Sequence, residues 1–110
     1  MTNQLSALPA VFHALADPTR LAVLERLSGG AATVSELAGP FKMALPSFTQ
    51  HLAVLERAGL VRSRKKGRIR TCELSPRPLG LAQSWMERQR RVWDRRLDQL
   101  DDYLLKLKEK

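Results

Sequence analysis

Apolar residues recur at helical spacing over most of the chain and change period in only one place. Leu5, Leu8, Phe12 and Leu15, with Val11 beside Phe12, fall three and four apart and predict a first helix, which Pro9 can enter only near its start. Asp17-Pro18 is a restart signal, with Asp17 as N-cap and Pro18 at the first helical position, where a missing N–H costs nothing. The second helix runs to about Ser28, with Leu21, Leu24, Leu27 and Val23 as its buried edge and Gly29-Gly30 as its stop. Thr33 and Glu36 have the spacing of a capping box, so a third, short helix starts at Val34 and buries Val34, Leu37 and Phe41. A turn over Lys42 to Ala44 leads into a fourth helix, ALPSFTQHLAVLERAG, whose Phe48, Leu52 and Leu55 line one side and whose stop is Gly59.

Beyond Gly59 the helical period is lost. Leu60 to Lys66 reads as one strand, Lys66-Gly67 as a turn that tolerates positive φ, and Arg68 to Leu74 as the return strand. The last third is a single long helix reaching about Lys108, which Ser75 can cap, with Pro76 and Pro78 tolerated in its first turn. Met86, Trp93, Leu97, Leu100, Leu104 and Leu107 recur at sevens, fours and threes, and from Trp93 onward they form an a/d heptad edge. The same spacing suits a helix folded back on its own domain. A partner is favoured because the short preceding helices already have one another's faces to cover, and an uncovered stripe of this size is an association surface. The fold class is therefore mainly α with a small β-hairpin, in the order α-α-α-α-β-β-α. Residues 1–75 form a helix-turn-helix unit with a hairpin wing, and residues 76–110 form a long C-terminal dimerisation helix of the same single domain.

Charge points to a partner. Nineteen Lys and Arg against eleven Asp and Glu give +8 and a pI near 10.6, which favours a polyanion, nucleic acid before membrane. No apolar run approaches the roughly 18 to 20 residues of a membrane span, and no signal sequence opens the chain, so a cytoplasmic location is expected. The single cysteine, Cys72, allows neither an internal disulfide nor a multi-cysteine metal cage. The fourth helix is polar, uncharged and rich in hydrogen-bonding groups away from its apolar edge, as a helix lying in a major groove must be. Between Arg62 and Arg70 stand six basic residues and no acidic one. A charge run alone is as readily a solvated face. Placed directly after a groove helix it reads as a wing whose Arg64, Lys65, Lys66, Arg68 and Arg70 neutralise phosphates without reading sequence.

The segments AVFHALADPTRLAVLERL, TVSELAGPF and LPSFTQHLAVLERAGLVRSRKKGRIRTCEL resemble the ArsR-type, arsenic-repressor-like winged helix-turn-helix repressors of bacteria, over roughly Ala10 to Leu74. The resemblance implies a homodimer, built by the first and last helices, that binds a double-stranded operator and represses transcription until a signal releases it. By position it assigns DNA contact to Pro46, Ser47, Thr49, Gln50 and His51, with Pro46 near the sugar-phosphate backbone. Gln50 is the foremost base reader because an amide can make paired hydrogen bonds to adenine. His51, next to apolar Leu52, has a packed reading of equal weight. Arg20 and Arg57 are further phosphate candidates. For the dimer the resemblance and the stripe together give Leu5, Leu8, Phe12, Met86, Trp93, Leu97, Leu100 and Leu104.

The switch of the resembled family is harder to place. Its arsenic and cadmium sensors carry a Cys-x-Cys pair on the third helix, where this chain has Thr33, Val34 and Ser35. The alternative site on the last helix combines histidine with carboxylates, and here Asp94, Asp98, Asp101 and Asp102 have no histidine among them, a poor donor set for zinc or softer metals. No metal and no cofactor are expected. Cys72 is either a packed strand residue or a redox switch whose basic strand favours the thiolate. The arginines from Arg88 to Arg96 are expected to pair with those aspartates, within the chain or across a dimer. No catalytic constellation is present, so an enzyme is not expected. The readings left open beside a sequence-specific repressor are a non-specific architectural nucleic-acid binder, a metal- or redox-responsive derepressor, and a module whose long helix recruits another protein.

Overall fold

The computed structural model describes residues 4–109, with side chains from residue 7. The elements are α1 (Gln4–Leu15), α2 (Pro18–Ser28), β1 (Ala32–Thr33), α3 (Val34–Ala38), α4 (Leu45–Arg57), β2 (Val61–Lys66), β3 (Ile69–Leu74) and α5 (Arg77–Lys108). The winged helix-turn-helix expected from the sequence is present with one additional strand. β1 pairs antiparallel with β3, Ala32 opposite Cys72 and Thr33 opposite Thr71, so the sheet has three strands in the order β1-β3-β2. Two residues are too few to show an alternation, which is why the pattern of the sequence hides this strand. Its effect is mechanical: Thr33 is at once the last residue of β1 and the N-cap of α3, so the start of the helix-turn-helix is fastened to the base of the wing.

The local signals behave as their chemistry requires. The Asp17 carboxylate accepts the Arg20 backbone N–H at 3.0 Å and starts α2. At α3 the capping box is complete, Thr33 Oγ1 accepting the Glu36 N–H and Glu36 Oε1 accepting the Thr33 N–H, both at 3.1 Å. The Thr33 backbone N–H donated to its carboxylate, with the Thr33 hydroxyl adding to that, holds the Glu36 carboxyl below its usual range. α4 ends in a Schellman motif: the Gly59 and Leu60 N–H groups donate to Glu56 O and Leu55 O, both at 3.0 Å. Gly59 has φ +77, which a side chain resists, and a Cβ there would stand 3.4 Å from Pro78 Cγ. Leu60 and Leu55, fully buried, supply the apolar clasp of that motif.

Three local expectations are corrected. The hairpin turn is Gly67-Arg68 rather than Lys66-Gly67, since Lys66 still pairs with Ile69; glycine first at φ +62, followed by a residue at negative φ, is the pattern of a type II′ turn. Ser75 does not cap α5, whose N-cap is Pro76 with no side-chain bond; the Ser75 N–H donates to Leu60 O at 2.8 Å and closes the sheet onto the end of α4. Leu21 is 49% exposed, because the buried stripe of α2 is Arg20, Val23, Leu24 and Leu27. Those four keep the i, i+3, i+4, i+7 spacing, with an arginine in the place where an aliphatic residue is expected.

The core joins Leu8, Val11 and Ala14 of α1 to Val23, Leu24 and Leu27 of α2, Leu37 of α3, Phe48, Leu52 and Leu55 of α4, and Leu60, Val61 and Cys72 of the wing. Val34 and Phe41 are half-buried beside it, Phe41 with its ring centroid 5.6 Å from that of Phe48. Ala82 and Trp85 close the core from α5, Trp85 meeting Phe12 edge-on at 5.8 Å. Leu8 is therefore spent on the core of its own chain and Phe12 is half-buried against Trp85, while the side chain of Leu5 lies outside the described residues. Beyond Val92, α5 leaves the domain. At about 1.5 Å per residue its 32 residues span about 48 Å, and the radius of gyration is 20.1 Å, against about 13 Å for a compact domain of this size. Met86, Trp93, Leu97, Leu100 and Leu104 are 47–59% exposed along it. Among the described residues the ion pairs lie elsewhere, so the arginines and aspartates of α5 do not pair within the chain. Arg96 instead sits 5.7 Å over the Trp93 ring. Among the described residues no helix is long and apolar enough to cross a membrane.

Candidate nucleic-acid interface

α4 is amphipathic by construction. Phe48, Leu52 and Leu55 are buried, and that fixes which side of the helix faces out: Pro46, Ser47 and Gln50 are exposed. Leu45, which the sequence reading leaves out, is 57% exposed at the first position of the helix. Thr49 is half-buried, and its hydroxyl donates to Pro46 O at 2.9 Å, so its free capacity is one of accepting. A groove of about 510 Å³ runs between α3, α4 and the wing, lined by Thr33, Val34, Ser35, Leu45, Thr49, Arg68, Ile69 and Arg70. Two short helices and a basic hairpin thus meet at one open surface, part apolar and part polar, with arginines on its wing side.

The six cations of the wing are not equivalent. Arg62 and Arg64 reach Glu73 at 3.6 and 3.5 Å, exposed pairs of small energetic weight. Arg70 is held far more firmly. Its Nη2 donates to Glu56 Oε1 at 2.7 Å and Oε2 at 2.9 Å, its Nε donates to Ser63 Oγ at 2.9 Å, and Ser63 Oγ donates to Glu56 Oε1 at 2.9 Å. Arg70, whose side chain is 45% exposed, thus has a structural part beside the one expected of it: its guanidinium ties the wing to the last turn of α4. Lys65, Lys66 and Arg68, at and beside the turn, have no acidic partner among the described residues.

Arg20, a phosphate candidate in the sequence, is also placed otherwise. It is 8% exposed, and its Nε and Nη2 donate to Ala14 O at 2.8 Å and to His13 O at 3.0 Å, carbonyls at the end of α1, of which His13 O also accepts the Ala16 N–H at 3.1 Å. Its Nη1 lies 3.1 Å from His51 Nδ1. His51 is consequently half-buried and drawn toward α2, with Asp17 Oδ2 at 3.6 Å. Desolvation alone raises the Asp17 carboxyl, but the Arg20 N–H and the nearby His51 and Arg20 outweigh it, leaving the group below its usual range. Arg57 is exposed on the last turn of α4. Sequence spacing could not have paired Glu56 with Arg70, 14 residues on and in another element. The phase of the α2 stripe does contain the signal for Arg20.

The switch candidates are changed by the geometry as well. Cys72 is fully buried at the centre of the sheet, opposite both Ala32 and Ser63. Burial pushes its thiol up, the Glu56 carboxylate adds to that, and Arg70 only partly offsets them, so the thiolate required of a redox switch is disfavoured. Among the described residues no group of three His, Cys, Asp or Glu side chains comes together to hold a metal ion.

Known proteins resemble the chain in both sequence and fold. A helix-turn-helix domain family matches residues 15–64. The chain is 40% identical over 86 residues to the HTH-type transcriptional regulator Rv2034 of Mycobacterium tuberculosis, covering 78% of each chain. To the transcriptional repressor SdpR of Bacillus subtilis it is 34% identical over 76 residues, covering 69% of this chain and 84% of that one. Among solved structures, an ArsR family transcriptional regulator superposes with a TM-score of 0.81 at 50% identity, over 86% of this chain and 97% of the other. With its helix-turn-helix, its fastened wing and these relatives, the chain belongs to the ArsR family of winged helix-turn-helix DNA-binding transcriptional regulators.

Proposed function

We propose that the protein is a sequence-specific repressor acting as a homodimer on a pseudo-palindromic operator, with half-sites about one helical turn apart. The observation that carries this is the single open surface on which the exposed face of α4 adjoins a wing tip of uncompensated cations, Lys65, Lys66 and Arg68. Ser47 and Gln50 read base edges, Thr49 accepts from them, and Pro46 approaches the backbone. The wing tip binds phosphates. The exposed stripe of α5, with Met86, Trp93, Leu97, Leu100 and Leu104, brings in the second protomer. The repressor named among the relatives supports the sign of regulation.

The test is a titration of the protein's own upstream region against unrelated duplex at rising salt. A large specificity ratio is expected, and a ratio near one returns the protein to the non-specific binders. Gln50→Ala should alter which bases are tolerated, while Lys66→Ala should weaken all duplexes alike and flatten the salt dependence by about one unit. An unchanged base preference in Gln50→Ala would remove that residue from the reading face.

A further inference from the structure

We propose that Arg20 is a positioning residue that fixes the tautomer of His51, so that α4 presents the imidazole Nε2–H as a donor to a DNA phosphate oxygen. This rests on the reading of α4 as the groove helix. A guanidinium has donors and no acceptor. With Arg20 Nη1 at 3.1 Å, His51 Nδ1 must contribute its lone pair, and the one proton of the neutral ring is then on Nε2. Asp17 is the competing partner, since a carboxylate would call the proton to Nδ1. Its Oδ2, however, is 3.6 Å away, beyond a hydrogen bond, and already accepts the Arg20 N–H at 3.0 Å.

Arg20 is not free to turn aside. Its bonds to Ala14 O and His13 O, at 2.8 and 3.0 Å, anchor it to the end of α1, so the ring orientation of His51 is inherited from the α1–α2 junction. The other ring nitrogen is available. No buried side-chain nitrogen or oxygen among the described residues lacks a partner, and Nε2 makes no hydrogen bond to any of the described residues, so it is not shut off from solvent. His51 stands one turn beyond exposed Ser47 and is drawn back toward α2. That shortens its reach and puts it at the margin of the helix, where the sugar-phosphate backbone passes and base edges do not. A phosphate offers acceptors only, which a ring presenting N–H satisfies and a ring presenting a lone pair does not.

The first measurement uses the full-length protein without DNA: 15N-resolved NMR of the imidazoles above their titration, with exposed His13 as the internal reference. A pyridine-like Nδ1 and pyrrole-like Nε2 are expected for His51, and the reverse overturns the proposal. In Arg20→Met the proton should move to Nδ1, facing Asp17. The second uses the duplex that the wild-type protein enriches from a random library. Arg20→Met and His51→Ala should each weaken binding by about three- to tenfold, the range of one hydrogen bond. The double variant should be no weaker than His51→Ala alone. Losses that multiply, with circular dichroism showing every variant folded, would make Arg20 a merely structural residue. A base preference altered by His51→Ala would overturn the phosphate assignment. Where Arg20→Met does not fold, the wild-type spectrum, which needs no variant, still decides the tautomer. Failure to enrich any duplex counts against the groove-helix reading itself, whereas the NMR result concerns Arg20 and His51 alone.

Discussion

The two ends of α5 carry the same kind of apolar periodicity and meet opposite fates. In the first turns Leu79, Leu81, Ala82 and Trp85 pack on the core, Trp85 against Phe12 of α1. From Trp93 onward an equally regular row, Trp93, Leu97, Leu100 and Leu104, stands about half exposed. Periodicity thus reports that a helix face is to be covered and is silent on what covers it. The difference comes from the length of α1, whose 12 residues are spent against the proximal part of a 32-residue helix.

The contrast can be broken most severely at Leu100. Leu100→Asp puts a carboxylate into the stripe of both protomers, and an unpaired buried charge should raise the dimer dissociation constant by roughly a hundredfold or more. Sedimentation should show a folded monomer, and a dimer unchanged by this substitution would mean that the distal row has another use. A smaller effect compares the tryptophans. Trp85→Ala should lower unfolding free energy by about 3 kcal/mol through loss of core packing. Trp93→Ala, measured by denaturant titration at concentrations where the protein is monomeric, should change it by less than about 0.5 kcal/mol. Equal losses would erase the distinction between the two ends. The smallest effect sharpens the contrast with an element that starts from a local signal, since α5 has no side-chain cap and α2 has Asp17. Asp17→Ala should cost about 1 kcal/mol at neutral pH. The folded carboxyl titrates below its unfolded value, so this stabilisation is present above about pH 4 and is lost as pH falls through the folded pKa. Stability curves of wild type and variant should therefore converge in acid.

Much of the architecture was legible because its signals are local. Asp17-Pro18, the Thr33 and Glu36 box, and the Gly59 stop each act over four or five residues, and each does in the fold what its chemistry implies. The outward face of α4 followed from the inward placement of Phe48, Leu52 and Leu55. What escaped the sequence depends on pairs distant along the chain: β1 on β3, Glu56 with Arg70, Arg20 with His51. Counting charges overstated the wing for the same reason, because a cation already paired with a carboxylate looks identical in the sequence to a free one. Leu8 was misassigned to a partner because a helix edge does not say whose core it enters.

The grip of Glu56 on Arg70 has a mechanical consequence. It cross-links the wing to the last turn of α4, so the two elements are held together by side chains as well as by the chain. In the proposed dimer the compliant part is the long arm of α5. A tilt of about 10° acting over its distal 16 residues, about 24 Å at the helical rise, displaces a head by about 4 Å, a little more than the ~3.4 Å rise of one base pair. In that dimer a strain on the arm would change the distance between the two heads, each an α4 with its wing.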